Sequence, residues 1–588
     1  MFLITTADER SWKKDEKILF LGEWCKLYSR KHIWSHLDFE ILPYHWDNRN
    51  QYYKDSKYLS DVYEKYLRAL SDILNKAHNS SYSIRYWRIV IGPWLRYFLD
   101  ALYDRFSSIK TARDTNRVTS TWIMKSDRTE WIPIDFKHFY HDFTTDQWNH
   151  FIYSEIIKLR KDISYTIIGK NNSLSKFERK KNLSAINKTR RFILRLYRSL
   201  VPDILNRLVF ISSYFTNIKD LIRLQLSLGQ IPYPYGPFVE ISNSDVEIKL
   251  RNQLEINLAT NKFEEIFENL IPWQIPKVYV EGFERMHYLT QRYFPRNIKG
   301  IFTGNAYSHD EAFKVWAADL VEEGKKLLIS QHGGNMGVAL WNQSESHQIS
   351  ICDRFYSWGW ASNEQAKIKP LPAVKLLSNS FINSNNSGPI LLVLASFPRY
   401  FYCSYSIPVA GQILNYINET IVFLKSLSSA IVDLIQIRLD SAEFGWDIES
   451  RLKDSGMGKN IDNTNKPLMK IIKECRLCIA THNATVFLET FAANFPTLLF
   501  WNPQVNEIRI EAKSYYNELN KAGILHYTPE SAAETLNEIY EYPLSWWQQK
   551  NIQDVKDTFC NQFAYTGENW LKEWQTELRG FIYTDNHP

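Results

Sequence analysis

ISQHGGNMG, residues 329–337, continues an aliphatic run that begins at Leu327. An aliphatic run that stops at paired glycines is typical of a buried parallel strand ending in a loop where the backbone passes close to another group. Ligands of open α/β sheets bind at this carboxyl end of the strands. We therefore predict a cleft loop formed by Gln331, His332, Gly333, Gly334 and Asn335. His332 is the first candidate for an active-site group, and the alternative is a core histidine bonded to the backbone.

Short apolar runs alternate with helical patterns on both sides of this loop. Before and around it, the predicted strands are Ile18–Gly22, Leu208–Ser213 and Gly300–Thr303, and the predicted helices are Asp61–Lys76, Pro93–Arg105, Asn252–Asn269 and Asp310–Gly324. Further on, the predicted strands are Ile390–Ser396, Val432–Leu439, Leu477–Thr481 and Thr497–Trp501, and the predicted helices are Ala410–Ser426 and Val486–Asn494. Two such blocks indicate an α/β protein with two Rossmann-like domains that face each other across a cleft.

The polar stretch SNSFINSNNSG, residues 378–388, is the strongest linker signal. It divides the chain into an N-terminal Rossmann-like domain with helical insertions (1–377) and a C-terminal one (378–543). The remaining segment, 544–588, has a Trp-rich helical pattern and is expected to cross back to the first domain.

Composition narrows the class of protein. With 588 residues, of which 44% are apolar, the chain can bury more than one core. Its 20 Trp and 34 Tyr suit stacking on sugars or bases, or a Trp-rich core. The net charge of +6 is small and its basic residues are dispersed, which does not favour a nucleic-acid partner. The exception is residues 176–198, which form either a solvated helix or a peripheral contact with anionic membrane or glycolipid.

Targeting signals are weak. No apolar run approaches the roughly 20 residues that span a bilayer, and the N-terminal sequence becomes charged too early for a signal peptide. We expect a cytoplasmic protein, with peripheral contact at the inner face of the membrane as an option. Six cysteines without framework spacing fit reduced thiols, and Cys475 and Cys478 lack partners for a zinc site.

The second block carries a candidate nucleotide site. THNATVFLETFAANFPTLLFW, residues 481–501, predicts a strand end, a helix start, a helix and a further strand. The N–H groups of a helix start suit a phosphate, and a carboxylate one turn later suits ribose hydroxyls. The alternative is an ordinary βαβ unit with a Thr or Asn helix cap. Arginines at strand ends are natural phosphate clamps. The candidate donor residues are therefore Ser396, Arg399, Arg438, His482, Asn483, Thr485 and Glu489.

Several stretches, in the same order along nearly the whole chain, resemble the LIC-type transferase family of surface-polysaccharide and O-antigen gene clusters. They are LITTADERSW (3–12), FLGEWC (20–25), YHWDNR (44–49), YWRIVIGPWL (86–95), GNAYSHDEAFKVWAA (304–318), ISQHGGNMG (329–337) and HNATVFLETFAANFPTLLFWNP (482–503). The second half is similar to GT-B glycosyltransferases and, more loosely, to bacterial transferases that use CMP-activated 3-deoxy-ulosonic sugars such as Kdo. Where the family has an acidic pair, this chain has Asp47-Asn48.

The resemblance implies a role for each domain. The C-terminal domain would hold the donor nucleotide and the N-terminal domain a glycan or lipid-linked glycan acceptor, without a metal or other cofactor, because helix dipoles and basic side chains stabilise the leaving phosphate. The absence of a DxD motif with a plausible partner agrees with this. Glu23, His45, Asp47 and Arg49 would lie on the acceptor side. Alternatives are a buried ion pair for Asp47 and Arg49 and strand-end packing for the other two.

His332, Asp310 and Glu311 are then expected at the reacting centre, where a carboxylate would act as general base or as nucleophile. Helix capping is the alternative for Asp310. The leading hypothesis is a glycosyltransferase of O-antigen or capsule biosynthesis, with a nucleotide-activated and CMP-linked donor. The alternatives are a CDP-linked polyol-phosphate transferase and a non-catalytic scaffold that binds nucleotide or sugar.

Overall fold

The computed structural model describes residues 1–169, 207–232, 239, 241, 243–377, 382, 384–462, 464 and 466–583. Within these residues the strands form three five-stranded sheets. The basic segment 176–198 lies outside the described residues. No helix in the described ranges combines the length and apolarity that a membrane crossing requires.

The first sheet has the strand order β3-β2-β1-β4-β5, and all its pairs are parallel. Its strands are β1 (Phe2–Ile4), β2 (Ile18–Phe20), β3 (Phe39–Ile41), β4 (Ser120–Met124) and β5 (Tyr165–Ile168). Its α-helices are Lys31–Trp34, Arg49–Ala77, Ile84–Asp114, Phe136–Asp142 and Asp146–Arg160. The helix predicted to begin at Pro93 begins instead at Ile84, because the Ser83 side chain caps it by accepting from the N–H of Tyr86.

The second sheet has the order β10-β9-β8-β7-β6 and is also parallel throughout. Its strands are β6 (Leu208–Ile211), β7 (Gly300–Thr303), β8 (Lys326–Ser330), β9 (Arg354–Ser357) and β10 (Ile368–Pro370). The α-helices are Ile218–Ser227, Ile248–Asn252, Lys262–Gln274, Phe283–Tyr293, Ala306–His309, Glu311–Glu322 and Gln343–Ile351. The predicted helix Asn252–Asn269 is wrong in its bounds, since Asn261 caps a helix that starts only at Lys262.

The third sheet has the order β12-β11-β13-β14-β15 with parallel pairs. Its strands are β11 (Ile390–Val393), β12 (Ile435–Arg438), β13 (Leu477–Ala480), β14 (Thr497–Phe500) and β15 (Leu525–His526). The α-helices are Ile413–Lys425, Ser429–Val432, Ile448–Asp454, Leu468–Ile472, Thr485–Ala492, Ile510–Lys521 and Pro529–Ile539.

The predicted α/β class with parallel sheets is confirmed, but the number of sheets is larger than expected. Residues 1–377, predicted to hold one Rossmann-like domain, contain both the first and the second sheet. Of the first sheet only β2 was predicted, as Ile18–Gly22, because strands of three residues such as β1 and β3 are too short to show a period. The second and third sheets correspond to the predicted facing pair.

The C-terminal segment forms the helices Pro543–Trp547, Lys550–Phe563 and Trp570–Tyr583. The last of these returns to the second sheet, as predicted. Trp574 packs edge-on against Tyr356, with ring centroids 4.9 Å apart, and donates its indole N–H to the carbonyl of Pro372 at 2.9 Å. Leu578 and Trp574 are both buried in a small core shared with the strands of this sheet.

Helices of the first sheet form hydrogen bonds and ion pairs with the segments that follow β11 and β14. Arg399 forms an ion pair with Asp146 at 2.7 Å, and the Arg49 guanidinium contacts both carboxylate oxygens of Glu507 at 2.7 and 2.8 Å. Asp100 also accepts from the N–H of Ser404 at 2.9 Å. These contacts join the first and third sheets by charged hydrogen bonds, which are stronger than neutral ones.

Candidate functional site

The loops at the carboxyl ends of the second and third sheets touch. Gly334, in the loop after β8, donates its N–H to Oγ1 of Thr485, the first residue of the helix after β13, at 2.9 Å. A Cβ on Gly334 would lie 2.4 Å from the carbonyl carbon of Ala484, so the two backbones meet without room for a side chain. The predicted meeting of these two loops is therefore present in the structure.

Gln331 and Asn335 shape the cleft loop through contacts of their own. The Gln331 amide oxygen accepts from the Trp358 backbone N–H at 3.0 Å and from the Trp360 indole at 2.8 Å, and its NH₂ group donates to Gly333. Asn335 has a φ of 56° and accepts from Asn342 at 2.8 Å. These hydrogen bonds fix the side chain of Gln331 and, through it, the conformation of the loop that contains Gly333 and Gly334.

His332 is held in a largely buried position beside Tyr214, with ring centroids 5.4 Å apart. Burial, helped by the positive charge of Lys375, lowers the pKa of His332 to about 4. Its Nδ1 atom is buried and has no hydrogen-bond partner among the described residues. A neutral imidazole with so low a pKa is a weak base, so it suits hydrogen bonding to a bound group better than proton abstraction at neutral pH.

Tyr214 and Asn305 join His332 in the cleft, and sequence analysis did not single them out. Asn305 donates to the Tyr214 hydroxyl at 2.6 Å. Tyr214 has a φ of 60° and Ser212, two residues earlier, a φ of 47°. Left-handed backbone at non-glycine residues costs free energy and is frequent at functional sites. A Cβ on Gly304 would lie 2.6 Å from the Tyr214 ring, which explains the glycine at that position.

Lys375 supplies a positive charge to the same cleft. Its Nζ atom lies 3.2 Å from Oε1 of Glu489, whose side chain is 14% exposed, and its charge acts on His332. The carbonyl of Lys375 accepts from Thr216, in the loop that carries Tyr214. Glu489 therefore holds an ion pair here, and its contact with a ribose stays a prediction.

Asp310 and Glu311 have structural partners. The Asp310 carboxylate caps the Glu311–Glu322 helix by accepting from the N–H of Phe313 at 3.0 Å, and burial raises its pKa. Glu311 is 1% exposed and lies 2.8 Å from the fully buried Lys314. Glu311 also accepts from the hydroxyl of Tyr279 at 3.0 Å. We therefore correct the expected catalytic role of Glu311, because its carboxylate is enclosed in the protein interior by these partners.

The helix that begins at Thr485 has Ala484 as its N-cap and no side-chain cap, so the alternative of a Thr or Asn cap is wrong. On the other side of the same loop, His482 lines a small pocket with a cavity volume of about 30 Å³, together with Tyr416, Glu419, Thr481, Trp501 and Asn502. Burial lowers the pKa of His482 to about 4. Asn483 points elsewhere and accepts from the buried Tyr516 hydroxyl at 2.8 Å.

The two predicted phosphate clamps are occupied elsewhere. Arg438 pairs with Asp462 at 2.7 Å and donates to the carbonyls of Thr464 and Lys466, so it fixes the segment after β12. Arg399 is 5% exposed and bound to Asp146, which makes it a link between sheets. Charged hydrogen bonds of this kind are costly to break inside a protein. Ser396, at the carboxyl end of β11, stays partly exposed.

The acceptor-side candidates do not form one group. Arg49 pairs with Glu507 and not with Asp47, so the alternative of an Asp47–Arg49 ion pair is wrong. Asp47 is exposed and accepts only a weak 3.3 Å hydrogen bond from Gln412. His45 lies 3.6 Å from Asp104, and burial lowers its pKa. Glu23 is partly exposed and pairs with Lys26 at 3.0 Å.

Comparison with solved structures finds only weak similarity. WaaG, a glycosyltransferase involved in lipopolysaccharide biosynthesis, has 11% identity and a TM-score of 0.29, with 64% of this chain and 100% of WaaG covered. MurG from Acinetobacter baumannii has 12% identity and a TM-score of 0.31, covering 64% and 98%. MnaA from S. aureus, solved with UDP, has 8% identity and a TM-score of 0.30, covering 78% and 94%. Likeness at this level carries no argument about function.

No curated protein is detectably similar to the sequence. A family model does match it, over residues 1–578, and its description is LIC12162 family transferase. That range includes the loops after β8 and β13 that meet in the cleft, and all three sheets. The chain therefore belongs to the LIC12162 family of transferases.

Proposed function

We propose that the protein is a glycosyltransferase that moves a sugar from a CMP-linked donor to a glycan or lipid-linked glycan of the cell surface, as in O-antigen or capsule biosynthesis. The observation that carries the proposal is the contact between Gly334 and Thr485, which brings the carboxyl ends of two facing parallel sheets to one cleft. Ligands of parallel α/β sheets bind at such ends.

Three features of this cleft suit a nucleotide-sugar donor. The helix start at Thr485 has no side-chain cap, and a helix start is a favourable place for an anion. The Lys375 ammonium lies beside this helix, paired with Glu489. The low pKa of His332 keeps its imidazole neutral, and its unpartnered Nδ1 atom can accept a hydrogen bond from a hydroxyl of the sugar. In this arrangement the leaving charge is stabilised by fixed dipoles and one cation.

The pocket lined by His482 and Trp501 is the place we assign to the base and ribose. It lies on the loop that precedes the Thr485 helix, and its lining offers an indole face and polar side chains. Its cavity volume of about 30 Å³ must widen for a nucleoside to enter. Asp310 is the carboxylate we retain as a candidate general base, because burial raises its pKa towards the working range of such a base.

A thermal-shift screen with CMP, CDP and UDP tests the donor. At a ligand concentration of 100 Kd, binding adds about 2.7 kcal/mol to the free energy of unfolding, which for a chain of this length raises Tm by about 2 °C. We expect CMP to give this shift and Lys375→Gln to abolish it. Lys521→Gln, which changes a lysine that is 71% exposed on another helix, is the matched control. Protection by UDP alone would refute the CMP assignment, and no protection by any nucleotide would refute the donor site.

A further inference from the structure

A group of aromatic side chains gathers where elements of all three sheets meet, and we call it the tyrosine floor. Tyr97 comes from a helix of the first sheet, Tyr402 and Tyr405 from the segment after β11, and His309 from the segment after β7. Tyr140, from the Phe136–Asp142 helix, completes it. The ring centroids are 5.9 Å apart for Tyr97 and Tyr402, 5.8 Å for Tyr97 and Tyr140, and 5.1 Å for Tyr140 and His309.

The tyrosine floor reaches solvent. All its tyrosines are partly exposed and His309 is exposed, whereas Phe136 and Phe143 beneath them are fully buried. Burial nevertheless raises the pKa of Tyr402 well above its usual value, because most of its ring and hydroxyl is enclosed by neighbouring side chains. The hydroxyls of Tyr140 and Tyr402 form no hydrogen bond within the described residues, so their polar ends are available to a ligand.

Two connections place the tyrosine floor beside the cleft. Asn342 forms a β-bridge with Tyr405 and donates to Asn335 of the cleft loop at 2.8 Å. His309 belongs to the short helix that follows Asn305, the residue bonded to Tyr214 next to His332. A molecule on the tyrosine floor would therefore lie next to the group that the cleft holds.

The chemistry of the tyrosine floor selects the kind of molecule. A tyrosine offers an apolar face and a polar tip, which suits a pyranose ring with its C–H groups on one side and hydroxyls at its edge. The floor itself carries no carboxylate. The protein around its ring, together with the positive charges of Lys314 and Lys137, lowers the pKa of His309 to about 4, so this side chain is neutral at neutral pH and adds no charge. An uncharged sugar fits such a surface better than a phosphate or a carboxylate.

We propose that the tyrosine floor is the acceptor subsite, where a neutral sugar residue stacks on the rings of Tyr140 and Tyr402 and bonds their hydroxyls; this rests on the proposed glycosyltransferase function. It also gives the first sheet a role. Tyr97 and Tyr140 come from its helices, and the ion pair between Arg399 and Asp146 fixes the segment that carries Tyr402.

Saturation-transfer NMR on the full chain tests the proposal, with the methyl glycosides of glucose, galactose, mannose and N-acetylglucosamine as probes. We expect at least one glycoside to bind the wild type. Tyr140→Phe and Tyr402→Phe each remove one hydroxyl and keep the ring, and should raise the Kd for that glycoside by about three- to tenfold. Tyr542→Phe, at a side chain that is 71% exposed, is the control and should leave the Kd unchanged.

The outcomes separate this proposal from that of the donor site, because CMP binding is measured on the same samples. Unchanged glycoside affinity in both floor variants, or a wild type that binds CMP but none of the glycosides, overturns the acceptor subsite. A wild type that binds a glycoside at the tyrosine floor but no nucleotide leaves the sugar site standing and refutes the proposed transfer. Melting temperatures within about 1 °C of the wild type, roughly 1 kcal/mol for this length, verify that the variants are folded.

Discussion

Gly334→Ala should separate the two loops of the cleft. The new Cβ would lie 2.4, 2.7 and 2.8 Å from the backbone atoms C of Ala484, N of Thr485 and O of Ala484. Ordinary van der Waals contact begins at 3.4 Å, so the nearest pair must move apart by about 1 Å. The 2.9 Å hydrogen bond from Gly334 to Thr485 would then stretch beyond bonding distance.

The magnitude follows from these two effects. Losing one hydrogen bond costs about 1 kcal/mol, and overpacking adds about 1–3 kcal/mol, for a total of about 2–4 kcal/mol against the closed contact. At 1.4 kcal/mol per factor of ten, the lower value corresponds to a roughly 30-fold faster amide hydrogen exchange in residues 331–335. Hydrogen-exchange mass spectrometry of the native protein measures this directly.

The control is Gly580→Ala, because a Cβ at that glycine would meet no atom within 4 Å. Thr485→Ser and Thr485→Val separate the hydrogen bond from the clash: serine keeps the oxygen that accepts from Gly334, whereas valine removes it. Exchange rates in 331–335 that are the same for Gly334→Ala and Gly580→Ala would refute the reasoning, because the loops would then not be in contact in solution.

Three other substitutions test the assignments made to buried groups. Glu311→Gln should lower the free energy of unfolding by about 3–5 kcal/mol in chemical denaturation, because it leaves Lys314 charged and unpaired in the interior; a stable variant that loses only turnover would restore Glu311 to the reacting centre. His332 has a pKa of about 4 when folded and an ordinary value of 6.5, so the unfolded state binds more protons between these values and stability falls as pH drops from about 6.5 to 4. Replacing His332 with Asn should reduce that fall in the free energy of unfolding by about 1–3 kcal/mol. If the pH profile of stability is the same in this variant and the wild type, the folded protein does not lower the pKa of His332. Arg49→Ala should cost about 1–3 kcal/mol by leaving Glu507 unpaired, and equal melting curves for Arg49→Ala and wild type would mean that this link between sheets is not formed.

The sequence predicted those parts of the fold that have local signals. The strands β7, β8, β11, β13 and β14 are continuous apolar runs, and each lies within or next to its predicted range. Strands β1, β2 and β3 are three residues long, and β9 and β10 contain polar residues, so their pairing depends on tertiary contacts that no short window shows. The third sheet was therefore predictable, whereas only β2 of the first sheet was predicted, as Ile18–Gly22.

In the candidate site, too, the sequence predicted the residues that have local signals and missed the others. The meeting of Gly334 with Thr485 followed from the rule that strand ends of facing sheets converge. Lys375 and Tyr214 were missed because neither has a sequence pattern around it that marks a ligand. Arg399 illustrates the opposite error: an arginine after a strand suggested a phosphate clamp, but its partner is Asp146, which is 253 positions away in the chain.

The return of the last helix to the second sheet has a consequence for synthesis on the ribosome. Tyr356 is translated long before Trp574, the residue that covers it, and at about 5–20 residues per second the delay is on the order of tens of seconds. Throughout that time the nascent chain carries an uncovered apolar surface around Phe302 and Tyr356. The second sheet cannot complete its core before the C-terminal helix has left the ribosome. We therefore expect a chaperone that binds exposed apolar segments to associate with the nascent chain.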